Sequence, residues 1–249
     1  MHVIERTGRG PTVVCIHGFC QSSAYWAPTL ERLAAHGVSA LAVDLPGFAD
    51  SAQERGPHTM PALADAVAKF LDRRGLKDVA LVGGSMGGVV AQHLVLRHPE
   101  RVSRLLLVAT GAATADPEGA LAKADVMATA PWNENTVTPI VAGFFYKVPP
   151  PDKQAEYRAI AMKASQPAAI EAARSNASLR TLEDLGRITV PTLIVQGRHD
   201  KARTPEHGAQ MSALLPNGAL EVIEDAGHTP QLEQPEEFHD IALPFLLGR

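Results

Sequence analysis

The sequence predicts an α/β fold in which a mostly parallel central sheet carries helices on both faces. Short apolar runs alternate with segments of helical spacing through about the first 110 residues, and the alternation resumes near residue 190. The runs are continuously apolar, as expected of strands that are buried on both faces of a parallel sheet. We therefore predict a core formed by residues 1–110 and 188–249, interrupted by an insertion at residues 111–187.

The first part of the core contains four predicted strands separated by three predicted helices. The strands cover residues 12–16, 39–43, 79–82 and 105–109, and the helices cover residues 24–36, 60–73 and 86–97. In the first helix Trp26, Leu30 and Leu33 recur at helical spacing, which predicts a buried face. Few residues precede the first strand, so the sequence leaves open whether a further strand forms at the N-terminus.

The insertion at residues 111–187 shows no clear strand pattern and contains many prolines. Helical spacing is visible near residues 153–163 and 167–175. A helical excursion between two core strands predicts a lid over one edge of the sheet. Beyond it, strands are predicted at residues 191–196 and 219–223, and helices at residues 205–215 and 235–247.

Composition and charge exclude several classes of function. The formal net charge is −4 and Lys and Arg form no cluster, which argues against a nucleic-acid partner. No apolar run approaches the ~20 residues of a membrane span. Cys15 and Cys20 are predicted to be free thiols, and the N-terminus lacks the apolar segment of a signal peptide. We therefore expect a cytoplasmic protein of undetermined oligomeric state.

The strongest local motif is a glycine-framed serine between a predicted strand and a predicted helix. Gly83, Ser85 and Gly87 form the pattern G-x-S-x-G, which is typical of a tight strand-to-helix turn with a strained serine. The turn places the hydroxyl at a helix N-terminus, where free N–H groups favour negative charge. A nucleophile that attacks a carbonyl needs this environment, whereas a glycine-rich packing loop is the alternative interpretation.

A serine nucleophile also needs a base and a group that orients the base. His228 follows the last predicted strand, and Asp200 follows the strand before it. Ser85, Asp200 and His228 therefore lie beyond the carboxyl ends of core strands, where active sites of open α/β sheets form.

Several ordered motifs together make the chain resemble the α/β-hydrolase fold family. They are His17-Gly18-Phe19, Asp44-Leu45-Pro46-Gly47, Gly83-Gly84-Ser85-Met86-Gly87-Gly88, His98-Pro99-Glu100-Arg101-Val102, and the turns at Asp200 and Gly227-His228. The resemblance covers nearly the whole chain apart from the insertion. It implies an α/β-hydrolase fold and a carboxylesterase-like serine hydrolase of class EC 3.1.1 that needs no metal and no organic cofactor.

The resemblance also implies a role for each residue. Ser85 would attack an acyl carbonyl, His228 would take and return the proton, and Asp200 would orient the imidazole. The backbone N–H groups of Phe19 and Met86 would form an oxyanion hole. His17 would brace the oxyanion loop by hydrogen bonds.

An apolar substrate pocket is predicted from side chains of the insertion and the core. Its candidate residues are Cys20, Trp26, Trp132, Phe144, Phe145 and Tyr146. These side chains could equally pack the insertion onto the core, so the partner is described only as a small ester-like molecule.

Other reactions on this fold remain open. Lactone hydrolysis, carbon–carbon hydrolysis of a dienoic acid and perhydrolysis use a related site, and a ligand-sensing receptor could keep the site with little turnover. Relatives that cleave carbon–carbon bonds usually carry Asn before the serine and Trp after the histidine. Gly84 and Thr229 occupy these positions here, which disfavours that reaction.

Overall fold

The computed structural model describes residues 1–248, and its centre is a seven-stranded sheet. The strand order is β1-β3-β2-β4-β5-β6-β7, with β1 antiparallel to β3 and all other neighbours parallel. The strands are β1 (Val3–Arg6), β2 (Thr12–Ile16), β3 (Ser39–Val43), β4 (Val79–Gly84), β5 (Val102–Val108), β6 (Thr192–Gly197) and β7 (Gly218–Ile223). This architecture confirms the predicted fold class.

Ten α-helices are found within residues 1–248. They are α1 (Ala27–Ala35), α2 (Met60–Arg73), α3 (Met86–Arg97), α4 (Pro117–Thr129), α5 (Glu134–Ala142), α6 (Pro151–Met162), α7 (Gln166–Ala177), α8 (Pro205–Leu214), α9 (Pro230–Glu233) and α10 (Pro235–Leu247). Short 3-10 helices complete several connections, among them Ser23–Trp26 directly before α1.

Side chains alternate between the two faces of the sheet and form two buried clusters. Val14 and Ile16 of β2 join the cluster that contains α2 and α3, whereas Val13 and Cys15 join the cluster that contains α1 and α10. Both clusters are apolar, so every central strand is buried on both sides. The polar side chains needed for chemistry are therefore restricted to the loops at the ends of the strands.

The N-terminal strand that the sequence left open is present. Val3–Arg6 forms four antiparallel pairs with β3, including Val3 with Val43. The predicted first helix is shorter than expected, because residues 24–26 belong to the 3-10 turn and α1 begins at Ala27, next to Pro28. Proline in the first turn of a helix needs no N–H partner and favours this start.

The insertion contains α4 to α7, of which the sequence predicted only α6 and α7. Helix α4 buries only Ala124 fully, and α5 is nine residues long with Pro139 inside it, so neither shows a strong apolar period. Within residues 111–187 the only β interaction described is an isolated bridge between Ala113 and Arg180. That this insertion acts as a lid stays a prediction.

Two features concern membrane insertion and the reactivity of the cysteines. Within residues 1–248, every helix is too short or too polar to cross a lipid bilayer. Cys15 and Cys20 are buried free thiols, and burial raises the pKa of both. Neither cysteine is therefore poised for thiolate chemistry.

Buried histidines predict a loss of stability in acid. His239 of α10 lies 3.1 Å from the Thr29 hydroxyl, and burial, followed by the Arg32 guanidinium, lowers its pKa. Below pH ~6.5 the unfolded state therefore takes up a proton more readily than the folded state, and the free energy of unfolding falls. Urea unfolding measured at pH 7.5 and at pH 5.5 gives the loss in free energy of unfolding between these two pH values. This loss should be smaller in His239→Gln than in the wild type, by up to about 1 kcal/mol. Equal losses would contradict the assignment.

Candidate active site

The serine motif forms a sharp turn between β4 and α3. Ser85 adopts φ 49° and ψ −115°, a conformation that is strained for any residue with a side chain. Its N–H donates to the Val108 carbonyl at 2.8 Å, and its carbonyl accepts from the Thr110 hydroxyl at 2.7 Å. The end of β5 and the residues after it therefore hold the turn from both sides.

The two glycines of the motif are required by close backbone approach. A Cβ atom on Gly83 would lie 2.5 Å from the Gly87 carbonyl oxygen. A Cβ atom on Gly87 would lie 2.4 Å from the Ile16 carbonyl oxygen of β2. No side chain fits at either position, so the motif is a constraint of the turn as well as a sequence pattern.

The strain at Ser85 can be measured by comparing two substitutions at the same position. Glycine relieves a cost of about 1–3 kcal/mol at such a backbone, and its extra freedom in the unfolded chain offsets about 0.5–1 kcal/mol of that. Ser85→Gly should therefore be about 1 kcal/mol more stable than Ser85→Ala in urea unfolding. An alanine variant of equal or greater stability would show that the turn is not strained.

Asp200 and His228 converge on the serine from the loops after β6 and β7. The Ser85 hydroxyl lies 2.8 Å from His228 Nε2, and His228 Nδ1 lies 2.6 Å from Asp200 Oδ2. The other Asp200 oxygen accepts the N–H groups of Ala202 and Arg203 at 2.8 and 2.9 Å. The buried carboxylate is thus fixed, and it keeps the proton of a neutral imidazole on Nδ1, so that Nε2 faces the serine as an acceptor.

The other acid near His228 in sequence points elsewhere. Asp225 is exposed and pairs with Lys147 of the insertion. His199, next to Asp200, stacks its ring on Tyr146 at a centroid distance of 3.7 Å. Neither side chain takes part in the hydrogen bonds between Ser85, His228 and Asp200.

The two expected oxyanion donors belong to elements that flank Ser85. Met86 is the first residue of α3, where N–H groups have no partner within the helix. Phe19 lies in the loop after β2.

The loop after β2 is braced by His17. The Nδ1 atom of His17 donates to the Gly18 carbonyl, and its Nε2 atom accepts from the Leu45 N–H. Burial lowers the pKa of His17 and favours this neutral form. Gln21 adds a further brace by accepting the Gly18 N–H at 2.9 Å.

The structure divides the six candidate pocket residues into different environments. Phe144 is buried and stacks on the His228 ring at 6.1 Å. Phe145 stacks instead on Tyr157 of α6 at 5.0 Å, and Tyr146 is 43% exposed and faces His199. Trp132 is half-buried against the same cluster as Cys20.

Trp26 does not belong to the pocket side of the sheet. It is buried in the opposite cluster and packs on Phe238 of α10 at 6.4 Å. The 3-10 turn directs its neighbour Tyr25 to the insertion, where the Tyr25 ring contacts Phe144 and Tyr157. Sequence analysis missed Tyr25, because adjacent aromatic residues carry no signal of which one faces the site.

A groove of about 680 Å³ lies beside the histidine and the aspartate. Its lining includes Gly143, Phe145 and Tyr146 of the insertion together with Asp200 and His228. An open groove is therefore present where the insertion meets the loops after β6 and β7.

One group of possible metal ligands occurs among residues 1–248, formed by His2, Asp44 and Asp50. Asp44 already accepts the N–H groups of Ser23 and Asp50, at 2.7 and 3.1 Å. The expectation that neither a metal nor an organic cofactor is needed stays a prediction.

The fold and the site define the class of the protein. It is an α/β protein with a serine, a histidine and an aspartate at the carboxyl ends of parallel strands. The chain belongs to the alpha/beta hydrolase family, whose family model matches residues 13–241. This membership confirms the resemblance seen in the sequence, and the chain is an enzyme of the hydrolase class.

Several known proteins are similar to this chain. The pimeloyl-[acyl-carrier protein] methyl ester esterase of Aeromonas salmonicida is 29% identical over 98% of both chains, and that of Chromobacterium violaceum is 31% identical over 94% of both. A 2-hydroxy-6-oxononadienedioate/2-hydroxy-6-oxononatrienedioate hydrolase of Pseudomonas putida is 28% identical over 94% of this chain and 87% of its own length. A solved esterase from Exiguobacterium antarcticum shares the fold, with a TM-score of 0.91, 24% identity and coverage of 98% and 94% of the two chains.

Proposed function

We propose that the protein hydrolyses a carboxylic ester through a serine nucleophile. The observation that carries this proposal is the continuous series of hydrogen bonds from the Ser85 hydroxyl through His228 to Asp200. It starts on a strained turn at the N-terminus of α3, where negative charge is stabilised. A nucleophile, a base and an orienting carboxylate are together sufficient for acyl transfer.

The proposed reaction has two halves. His228 Nε2 takes the hydroxyl proton while the Ser85 oxygen bonds to the acyl carbon, and the N–H groups of Met86 and Phe19 stabilise the oxyanion. The imidazolium then gives its proton to the alcohol oxygen as the carbon–oxygen bond breaks. Water repeats the sequence on the acyl-enzyme, which releases the carboxylic acid and restores Ser85.

The proposed substrate is an ester of a small alcohol with an apolar acyl chain. The Phe144 ring packs on His228 and is itself contacted by the Tyr25 ring, so the surroundings of the histidine on this side are apolar. The relatives named as methyl ester esterases support a small alcohol as the leaving group. A cytoplasmic location remains part of this proposal.

Carbon–carbon hydrolysis is the second candidate, favoured by the similarity to the Pseudomonas putida hydrolase. Thr229 opposes it, because this side chain is fully buried, with its hydroxyl 3.1 Å from the Phe144 carbonyl. A larger side chain after the histidine would need the insertion to move.

Steady-state assays can separate these functions. Methyl and p-nitrophenyl esters of short and medium acyl chains should be turned over many times per chain, whereas lactones and dienoic ring-fission acids should react more slowly. About one event per chain with every ester would instead indicate a receptor. Preferred turnover of the dienoic acid would replace the ester proposal by the second candidate.

A further inference from the structure

Glu233 occupies an unusual position beneath the loop that carries His228. It ends the short helix α9, which begins two residues after the histidine. The turn is closed by the N–H groups of Leu232 and Glu233, which donate to the Thr229 carbonyl at 2.8 and 3.0 Å. The chain thereby folds back and directs the Glu233 carboxylate to the residues on either side of His228.

One oxygen of Glu233 holds both neighbours of His228. Oε1 accepts the Gly227 N–H at 3.0 Å and the Thr229 N–H at 3.1 Å, and the Thr229 hydroxyl lies 3.2 Å away. Hydrogen bonds to a carboxylate are stronger than those between neutral groups. A single acceptor therefore holds the backbone N–H groups of both residues that flank His228.

The second oxygen of Glu233 holds the insertion. Oε2 accepts the Tyr146 N–H at 2.7 Å, and Tyr146 is two residues from Phe144, whose ring stacks on His228. The approach is tight, because a Cβ atom on Gly227 would lie 2.7 Å from Tyr146 N and 3.3 Å from Glu233 Oε1. The insertion and the histidine loop therefore meet at this carboxylate.

From these contacts we propose that Glu233 is a positioning residue, which aligns His228 with Ser85 and Asp200 and couples that alignment to residues 144–146 of the insertion. The carboxylate is bonded to backbone N–H groups and to the Thr229 hydroxyl, so it is not a catalytic residue. It acts through the backbone on both sides of the imidazole and through the aromatic ring above it. This inference rests on the proposed function for its kinetic consequence, although the alignment itself can be observed without turnover.

Two substitutions distinguish the contributions of the two Glu233 carboxylate oxygens. Glu233→Ala removes every bond, and we expect kcat for a p-nitrophenyl ester to fall about tenfold to thirtyfold with KM changed less than threefold. Glu233→Gln can keep the bonds of Oε1 through its amide oxygen but places an NH₂ group opposite the Tyr146 N–H, so a smaller fall is expected. Glu237→Gln, on the exposed first turn of α10, is the matched control and should behave as the wild type.

A spectroscopic measurement tests the alignment directly. The proton between His228 Nδ1 and Asp200 should give a far-downfield proton NMR signal, which is assigned by its loss in His228→Gln. In Glu233→Ala this signal should broaden or shift, while in Glu237→Gln it should remain. If Glu233→Ala does not fold, the same comparison is made with Glu233→Met, which removes both carboxylate oxygens and keeps the length of the side chain.

The outcomes are distinguishable from a failure of the proposed function. Absence of ester turnover in the wild type would overturn the ester proposal, yet the NMR comparison would still test the positioning role. A wild-type signal and a kcat within twofold of the wild type in Glu233→Ala would overturn the positioning role. A fall in kcat with an unchanged signal would also overturn it, because the effect would not act through His228.

Discussion

Replacing Ser85 by alanine is expected to lower kcat for ester hydrolysis by about 10⁵- to 10⁶-fold. The reason is that the proposed reaction forms its covalent bond on the Ser85 oxygen, which lies 2.8 Å from His228 Nε2. Alanine keeps the backbone of the turn, so the fold and its unfolding transition should be retained. Initial rates with purified protein, corrected for spontaneous hydrolysis, measure the effect.

Ser103→Ala is the matched control for this substitution. Ser103 lies near the start of β5, at the opposite edge of the sheet, where its hydroxyl donates to the Asp78 carbonyl at 3.2 Å. Its replacement should leave kcat within twofold of the wild type. Ester turnover in Ser85→Ala above one hundredth of the wild-type rate would contradict the role of Ser85.

Replacing Asp200 by asparagine is the second large effect, with an expected fall in kcat of about 10⁴-fold. The N–H of the amide can donate a hydrogen bond to His228 Nδ1 and thereby favours the tautomer that carries its proton on Nε2. That tautomer cannot accept the proton of Ser85, and the imidazolium also loses its buried counter-charge. The measurement is kcat for a p-nitrophenyl ester between pH 6 and 9.

Asp225→Asn provides the control, since Asp225 is close to His228 in sequence but pairs with Lys147 at the surface. Its kcat should change less than threefold. Equal effects of the two asparagine variants would mean that Asp200 is not the orienting acid. A loss smaller than tenfold in Asp200→Asn would lead to the same conclusion.

Much of the core could be predicted because its signals are local. Strands β2 and β3 and helices α2, α3 and α10 have the predicted bounds. Buried strands are continuously apolar, and α2 carries apolar side chains at helical spacing, of which Leu63, Val67 and Leu71 are buried. The turn at Ser85 could also be predicted locally, because its close backbone contacts require glycine at positions 83 and 87.

The insertion and the neighbourhood of the histidine were harder to predict for physical reasons. Helix α4 is stabilised by packing on α7 rather than by its own apolar pattern. Trp26 and Tyr25 are adjacent, and only the geometry of the 3-10 turn decides which ring faces the site. The role proposed for Glu233 rests partly on a bond to the backbone of Tyr146, which is 87 residues away in sequence and therefore leaves no local pattern.

Intact-protein mass spectrometry after exposure to a fluorophosphonate tests the central claim most directly, because this reagent labels activated serine hydroxyls. We expect one adduct per chain, located on Ser85 by peptide mapping. The adduct should be absent in Ser85→Ala and should form far more slowly in Asp200→Asn. An unmodified wild-type protein, or an adduct that persists in Ser85→Ala, would contradict the claim that Ser85, His228 and Asp200 form a working nucleophilic site.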